Sequence, residues 1–445
     1  MKKRNHSLKQ NVGAKLWNKA KMLIPGGGQL LSKRSEMFLP DGWPSYYQKA
    51  KGIEVTDLDG RTYLDFSLMG VGACALGYAD KDVNAAVTRA VRQGSMCTLN
   101  SPEEVELAEL LLELHPWAKK VRYARTGGEA MAIAVRIARA YVGRSKVAFC
   151  GYHGWSDWYL ATNLSDAKGL NEHLLSGLDP AGVPSSLRGT ILPFSYNRID
   201  ELEQLIANHA DIGTIVIETV RHQEPEHGFL EKVRTLADKT GAVLIFDDIT
   251  VGWRLTFGGA HMLYGVYPDI AVLGKSIANG YAMAAIIGRK DVMEAAQQTF
   301  ISSTFWTERI GPTAALATIR KMKRVNLPAY LKRIGSLIGD GWKKLAKKHG
   351  LKIHVHGPEA LVGFAFDYGS ESQAIRTLFT QEMLYRGFLA SGSVYVSLAH
   401  TKKDIKRYLR AVDDVFGFIA KAIEQKTVAS LLEGPVAHSG FQLLT

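Results

Sequence analysis

The chain has 445 residues, 46% of them hydrophobic and 22% charged, with a formal net charge of +12. At roughly 150 residues per domain this is far beyond a peptide or a single small module, and the composition is that of an ordinary globular protein able to bury a large core. No stretch approaches the ~20 consecutive apolar residues of a bilayer crossing, so no membrane partner is expected.

The basic start MKKRNHSLKQNVGAKLW is followed by no apolar segment and is not expected to be a secretory signal. Residues 52–66, GIEVTDLDGRTYLDF, are two alternating runs around Asp-Leu-Asp-Gly, a hairpin signal. A helix over 102–115 precedes a strand at 121–124, and a helix over 129–142 precedes a strand at 146–150. Short apolar strands follow at 190–193, 214–218, 242–247 and 270–273, with helical patterns at 198–209 and 228–239 between them. Val- and Ile-rich strands alternating with amphipathic helices predict an α/β, mostly parallel sheet covered on both faces. From about 329 the pattern changes to a long basic helix over 329–349, strands at 352–356 and 361–366, and a closing helix over 402–424. This predicts an N-terminal segment, 1–75, joining a smaller C-terminal domain, 329–445, with a large domain over 76–328 between them. The tail after about 426 reads as a surface appendage.

Cys74, Cys97 and Cys150 are too scattered for a disulfide framework or a metal site, and they suit a reducing, cytoplasmic setting. Lysine pairs at 119–120, 343–344, 347–348 and 402–403 lack interleaved aromatics. They read as solvated faces, with steering of a small anionic substrate as the second reading, and no nucleic-acid partner is expected.

Four features fall at strand ends or strand-to-helix turns, where open α/β sheets bind ligands. Lys275 follows the strand ending at 273, within the apolar sequence IAVLGKSIANGYAMAAIIG. Such surroundings lower an amine's pKa, as a Schiff-base lysine requires, although a lone strand-end lysine is also a common surface charge. Asp247 closes the buried run AVLIFD, and a buried carboxylate needs a partner. A protonated pyridine nitrogen is one such partner; backbone amides are the structural alternative. Asp248 is a rival, but strand alternation points the two acids to opposite faces. Thr126-Gly127-Gly128-Glu129 opens a helix after a strand, which offers free N–H groups and a hydroxyl to a phosphate, though Gly-Gly turns before helices are common. Tyr152-His153-Gly154 places a flat aromatic at a strand end, where it can stack on a cofactor ring or fill a core.

The stretches LIFDDITVGWR and GVYPDIAVLGKSIANG resemble the signature of class III (subgroup II) aminotransferases, and the chain is most similar to the glutamate-1-semialdehyde aminomutase-like branch. The likeness runs from IPGGG at 24–28 through Ser101-Pro102-Glu103, TGGEA, YHG, the aspartate pair, Lys275 and Ser303-Thr304-Phe305 to SLAHTKKDI. It implies the type I pyridoxal-phosphate (PLP) aminotransferase fold, with a seven-stranded, mostly parallel sheet and a smaller α+β domain. It also implies a homodimer with shared active sites, and PLP or its amine form PMP as cofactor.

By motif position, Lys275 would be the Schiff-base lysine and proton shuttle, Asp247 would pair with the pyridine nitrogen, and Tyr152 would stack on the ring beside His153. Thr126, Gly127 and Gly128 would hold the phosphate, Thr304 would reach the neighbouring subunit's phosphate, and Glu218 matches a glutamate near the cofactor. The 155–190 region sits where the aminomutases have a mobile lid.

Departures from the aminomutase pattern bear on substrate. Arg125 enters before Thr126, the acid pair is Asp247-Asp248, Trp306-Thr307-Glu308-Arg309 follows the interface region, and the loop after Glu218 looks shortened. Arg34, Arg125, Arg221 and Arg309 are candidates to grip a substrate carboxylate or phosphate, each with a structural role as its competing reading. The expected activity is ping-pong transfer of an amino group to an aldehyde, ketone or keto acid. An intramolecular aminomutase, a racemase, decarboxylase or lyase, and a non-catalytic cofactor-binding protein are the alternatives.

Overall fold

The computed structural model describes residues 11–174, 176–221 and 223–441. The first ten residues, the basic part of the start read above as no secretory signal, lie outside them. Two compact units divide the chain: Lys81–Ala329 is one, and the chain up to Asp80 together with that from Tyr330 onward is the other. In chain order the strands are β1 (Tyr47–Lys51), β2 (Glu54–Asp57), β3 (Thr62–Phe66), β4 (Lys120–Ala124), β5 (Lys146–Cys150), β6 (Ile191–Pro193) and β7 (Ile212–Glu218). After these come β8 (Val243–Asp247), β9 (Ile270–Leu273), β10 (Ala284–Gly288), β11 (Ile353–His356), β12 (Leu361–Phe366), β13 (Phe388–Ala390) and β14 (Ser393–Tyr395).

In the Lys81–Ala329 unit seven strands form one sheet, ordered β4–β10–β9–β8–β7–β5–β6. Strands β9, β8, β7, β5 and β6 are parallel, and β10 is antiparallel to both its neighbours. The central runs IGTIVIE and VLIFD are buried along almost their whole length, as strands covered on both faces must be. Ala130, Ile133, Ala134 and Ile137 of the helix Gly127–Val142 pack with Val147, Phe149 and Ile245 on one face. Leu230, Val233 and Ala237 of the helix Phe229–Thr240 pack with Ala148, Ile215, Leu244 and Phe246 on the other. Each fully buried aliphatic or aromatic side chain is worth roughly 1.5–3 kcal/mol, so this alternation fixes which way each strand end points.

In the other unit the hairpin forms as its sequence requires, with Val55 opposite Tyr63 and Thr56 opposite Thr62. Asp57 Oδ1 accepts the N–H groups of Asp59 and Arg61, both at 2.9 Å, which closes the Asp-Leu-Asp-Gly turn. β13 lies parallel beside β3, and β11–β12–β14 form a separate three-stranded sheet.

Several elements differ from expectation. β1, β10, β13 and β14 were not anticipated as strands, nor were the helices Val12–Leu23, Lys81–Gln93, Ile310–Val325 and Ser372–Tyr385; β10 lies within the apolar sequence read as the surroundings of Lys275. The tail is not an appendage. Ala437 N donates to Thr377 Oγ1 at 3.1 Å, Gln381 Nε2 donates to the Leu431 carbonyl at 3.0 Å, and Val428 and Ala437 are buried, so the chain end packs on the helix Ser372–Tyr385. Among the described residues no helix is long and apolar enough to cross a membrane.

Candidate active site

Five strand ends of the large sheet carry the candidate residues: β4 leads into Thr126, β5 into Tyr152, β7 ends at Glu218, β8 at Asp247, and β9 leads into Lys275. β8 and β9 are neighbours, with Asp247 opposite Val272. The two adjacent acids separate as strand alternation demands. Asp247 Oδ2 lies 2.9 Å from His153 Nδ1 on one face, and Asp248 Oδ2 lies 2.7 Å from His261 Nδ1 on the other. Both acids are buried. His153 Nε2 is 3.1 Å from the Cys150 carbonyl, so both of its ring nitrogens face protein oxygens and the ring serves as a buttress behind Asp247. Asp247 Oδ1 accepts the Ile249 N–H at 3.0 Å, which folds the chain sharply after β8.

Lys275 sits in left-handed backbone, φ +44°, a conformation unusual for a side-chain-bearing residue and one that clusters at functional sites. Its Nζ donates to Thr250 Oγ1 at 2.8 Å. Burial pushes the amine's pKa down; the carboxylates of Glu218 and Asp247 pull it back up, and the Arg254 guanidinium lowers it further. Glu218 has its carboxyl pushed up, first by burial and then by Asp247. Its Oε2 accepts the Tyr152 N–H at 3.0 Å and lies 3.5 Å from Arg221 Nε. Tyr152 is 41% exposed and presents its ring near the edge of Tyr159, with centroids 6.2 Å apart.

The helix Gly127–Val142 starts with a capping box. Thr126 Oγ1 accepts the Glu129 N–H at 3.4 Å, and Glu129 Oε2 accepts the Thr126 N–H at 2.9 Å. A Cβ on Gly127 would stand 3.0 Å from Ile249 Cδ1, and one on Gly128 would stand 2.9 Å from the Trp155 indole nitrogen. Gly154, at φ +104°, would bring a Cβ within 2.9 Å of Gly128 Cα. The turn is therefore a close-walled backbone cradle: a Cβ at 127 would press on Ile249, one at 128 would need the exposed Trp155 indole to move, and one at 154 would meet backbone.

The arginine candidates are largely engaged by protein groups. Arg125 donates to the carbonyls of Trp306 (2.9 Å) and Glu308 (2.6 Å), fastening that segment. Arg309 forms a two-pronged pair with Glu103, with Nε and Nη2 at 2.9 and 2.7 Å from Oε1. Arg221 donates to the His173 carbonyl at 2.6 Å besides facing Glu218. Arg34 belongs to the other unit, where its guanidinium lies against Gly26. Thr304 is exposed at the start of the turn Thr304–Thr307. Among the described residues of 155–190, where a mobile lid is expected, Leu170 is buried, Leu174 and Leu178 pack on the core, and His173 Nδ1 accepts the Gly151 N–H at 3.2 Å.

Sequence reasoning missed three neighbours of Lys275. Ile249 would meet a Cβ on Gly127 or, at 3.2 Å, on Gly274. Thr250 holds the amine, and Arg254 is a fully buried cation acting on it. Ile249 was reachable from its place two residues past Asp247; nothing in the local pattern marks the other two.

A seven-stranded, mostly parallel sheet with a half-buried lysine just past one strand end and a buried aspartate at the end of the neighbouring strand is an architecture of the aminotransferase class. Residues 40–415 match the aminotransferase class-III family, and the chain belongs to that family. It is 32% identical over 421 residues to the 3-aminobutyryl-CoA aminotransferase of Cloacimonas acidaminovorans, covering 92% of this chain and 97% of that protein. It is likewise 32% identical over 426 residues to the glutamate-1-semialdehyde 2,1-aminomutase of Akkermansia muciniphila, covering 90% and 98%. Among solved structures it resembles the PLP internal aldimine form of the Sphingopyxis sp. MTA144 FumI protein, with a TM-score of 0.84, 25% identity, and 94% of this chain and 99% of that chain covered.

Proposed function

We propose that this class-III aminotransferase moves an amino group from an amino donor to a carbonyl acceptor (an aldehyde, ketone or keto acid) with pyridoxal 5′-phosphate held at the strand ends of its large sheet. The observation that carries the reading is the Lys275 amine, just past the end of the strand that neighbours the one closed by buried Asp247, beside a helix start closely walled by Ile249 and Trp155. These residues suit the cofactor's chemistry: an amine for its aldehyde, a carboxylate for its ring nitrogen, and backbone N–H groups at a helix start for its phosphate. When bound, the cofactor supplies an electron sink that acidifies the carbon beside the amine and carries the amino group from donor to acceptor.

Lys275 would anchor the cofactor, and Asp247, backed by His153, would hold the ring nitrogen's positive charge. Tyr152 would cover the ring, its backbone fixed by Glu218, while Thr126, Gly127 and Gly128 would hold the phosphate. To hold the phosphate with its hydroxyl, Thr126 must release the hydrogen bond that Oγ1 makes to Glu129 Oε2 at 3.0 Å. Once free, Lys275 Nζ would take a proton from the substrate carbon as a base and, as an acid, give it up at a different carbon on the cofactor's side, so that the substrate leaves as a carbonyl compound and not as the amine it entered as. Burial lowers this amine's pKa, which favours the neutral form that the first of those steps needs.

The reading includes a homodimer with shared active sites. Phe300, 93% exposed, and Phe305, 69% exposed, flank Thr304 and present apolar surface that a second copy would cover. A reducing, cytoplasmic setting is supported by three free cysteines. The test is a half-reaction screen: the cofactor-loaded chain is mixed with a panel of amines and amino acids, and bleaching of the visible band is followed. Release of a carbonyl product and transfer to an added acceptor are expected. Product formed within a single substrate, with no acceptor, would point to an aminomutase instead, and a visible band unchanged in Lys275→Ala would refute the scheme.

A further inference from the structure

The loop after β8 is sewn to the Lys275 turn at several points. Asp248 N donates to the Val272 carbonyl at 2.9 Å, Gly252 N donates to the Asp248 carbonyl at 2.8 Å, and Ser276 Oγ donates to the Gly252 carbonyl at 3.1 Å. With Asp247 Oδ1 holding the Ile249 N–H, these bonds leave Thr250 little freedom relative to Lys275. The Thr250 hydroxyl stands 2.8 Å from Nζ. A hydroxyl can accept from a protonated amine and can donate to the lone pair of a neutral one, so it partners the lysine in both states. Glu218 from the end of β7, Asp247 from the end of β8 and Arg254 from the loop beyond it are the charged groups that act on the amine. Of these elements, the loop carrying Thr250 supplies the hydrogen bond.

We infer that Thr250 is a positioning residue for the reaction: its hydroxyl keeps the released Lys275 amine in one place while the amine gains and gives up the proton. The inference rests on the amino-transfer reading. Thr250→Val keeps the shape and removes the hydroxyl, so the protonated amine loses an acceptor and becomes easier to deprotonate.

The test uses the full-length chain freed of cofactor, with the pH dependence of Lys275 modification by a water-soluble amine reagent read by peptide mass spectrometry. The midpoint in Thr250→Val is expected about one pH unit lower than in the wild type, with Thr250→Ser restoring it and surface lysines such as Lys343 unmoved. In the cofactor-loaded chain the same variant should lose roughly tenfold in kcat with KM little changed, again restored by serine. An unmoved midpoint in a chain that loads cofactor normally overturns this inference alone. A wild-type chain that takes up no cofactor overturns it together with the amino-transfer reading.

Discussion

Asp247 and Asp248 offer a matched pair of perturbations, because both are buried, both face a histidine at 2.7–2.9 Å, and they sit on opposite faces of one strand end. Converting either to asparagine removes a charged hydrogen-bond partner, worth about 1.5–3 kcal/mol. For a unit of this size each kcal/mol moves Tm by roughly 2–4 °C, so both variants should melt about 3–12 °C below the wild type. Their activities should diverge. Asp247→Asn removes the charge meant for the cofactor's ring and should cost about 100- to 1000-fold in kcat, the scale of losing one preorganised electrostatic partner. Asp248→Asn breaks only the contact to His261 and should stay within about threefold of wild type. The assay is steady-state amino transfer with the best donor from the half-reaction screen, run well below both melting points alongside calorimetry. Equal kcat losses in the two variants, or a larger loss in Asp248→Asn, would refute the assignment of the two faces.

Other outcomes follow from the same geometry. Gly154→Ala forces a Cβ against Gly128 Cα in left-handed backbone, so it should destabilise the chain by about 1–3 kcal/mol and weaken cofactor binding, measured by equilibrium dialysis. Arg309→Ala loses the Glu103 pair, so urea unfolding should show a loss of about 1 kcal/mol, and because that pair already engages the guanidinium, KM for the donor should be unchanged. His115 is buried with Nδ1 2.8 Å from the Leu111 carbonyl and Nε2 accepting the Gly259 N–H, an arrangement only the neutral ring can satisfy. Burial takes its pKa from an ordinary 6.5 down to about 4. The unfolded chain therefore binds this proton at higher pH than the folded chain, and stability should fall by about 3 kcal/mol as pH drops from 6.5 to 4. His115→Gln should flatten that part of a urea-midpoint profile.

The large sheet was legible because its central strands are buried on both sides and so read as unbroken apolar runs between amphipathic helices. The site was legible for a related reason: its cofactor residues fall at strand ends within a few residues of such runs, and alternation alone sends Asp247 and Asp248 to different partners. What stayed hidden depends on contacts far apart in sequence. Arg309 and Glu103 are separated by 206 positions, and Arg125 meets carbonyls more than 180 residues away. Local pattern therefore cannot tell a substrate-gripping arginine from one that ties two segments together. Thr250 was invisible because a lone hydroxyl in a turn has no periodicity, and its meaning comes only from the amine that follows the next strand. The tail was misread because its short apolar runs, broken by Gly and Pro, carry no sustained helical or strand period, while Ala437 and Val428 find cover only once the helix Ser372–Tyr385 exists.

The alternation at the end of β8 limits how this region can change over evolutionary time. Inserting or deleting one residue within β8 would turn every residue beyond the change to the opposite face, so both acids would leave the sides on which their own histidines wait. Length changes here should be intolerable even when every amino-acid type is kept, whereas the exposed stretch around Asp179–Gly182 can lengthen or shorten without disturbing where any reacting group points.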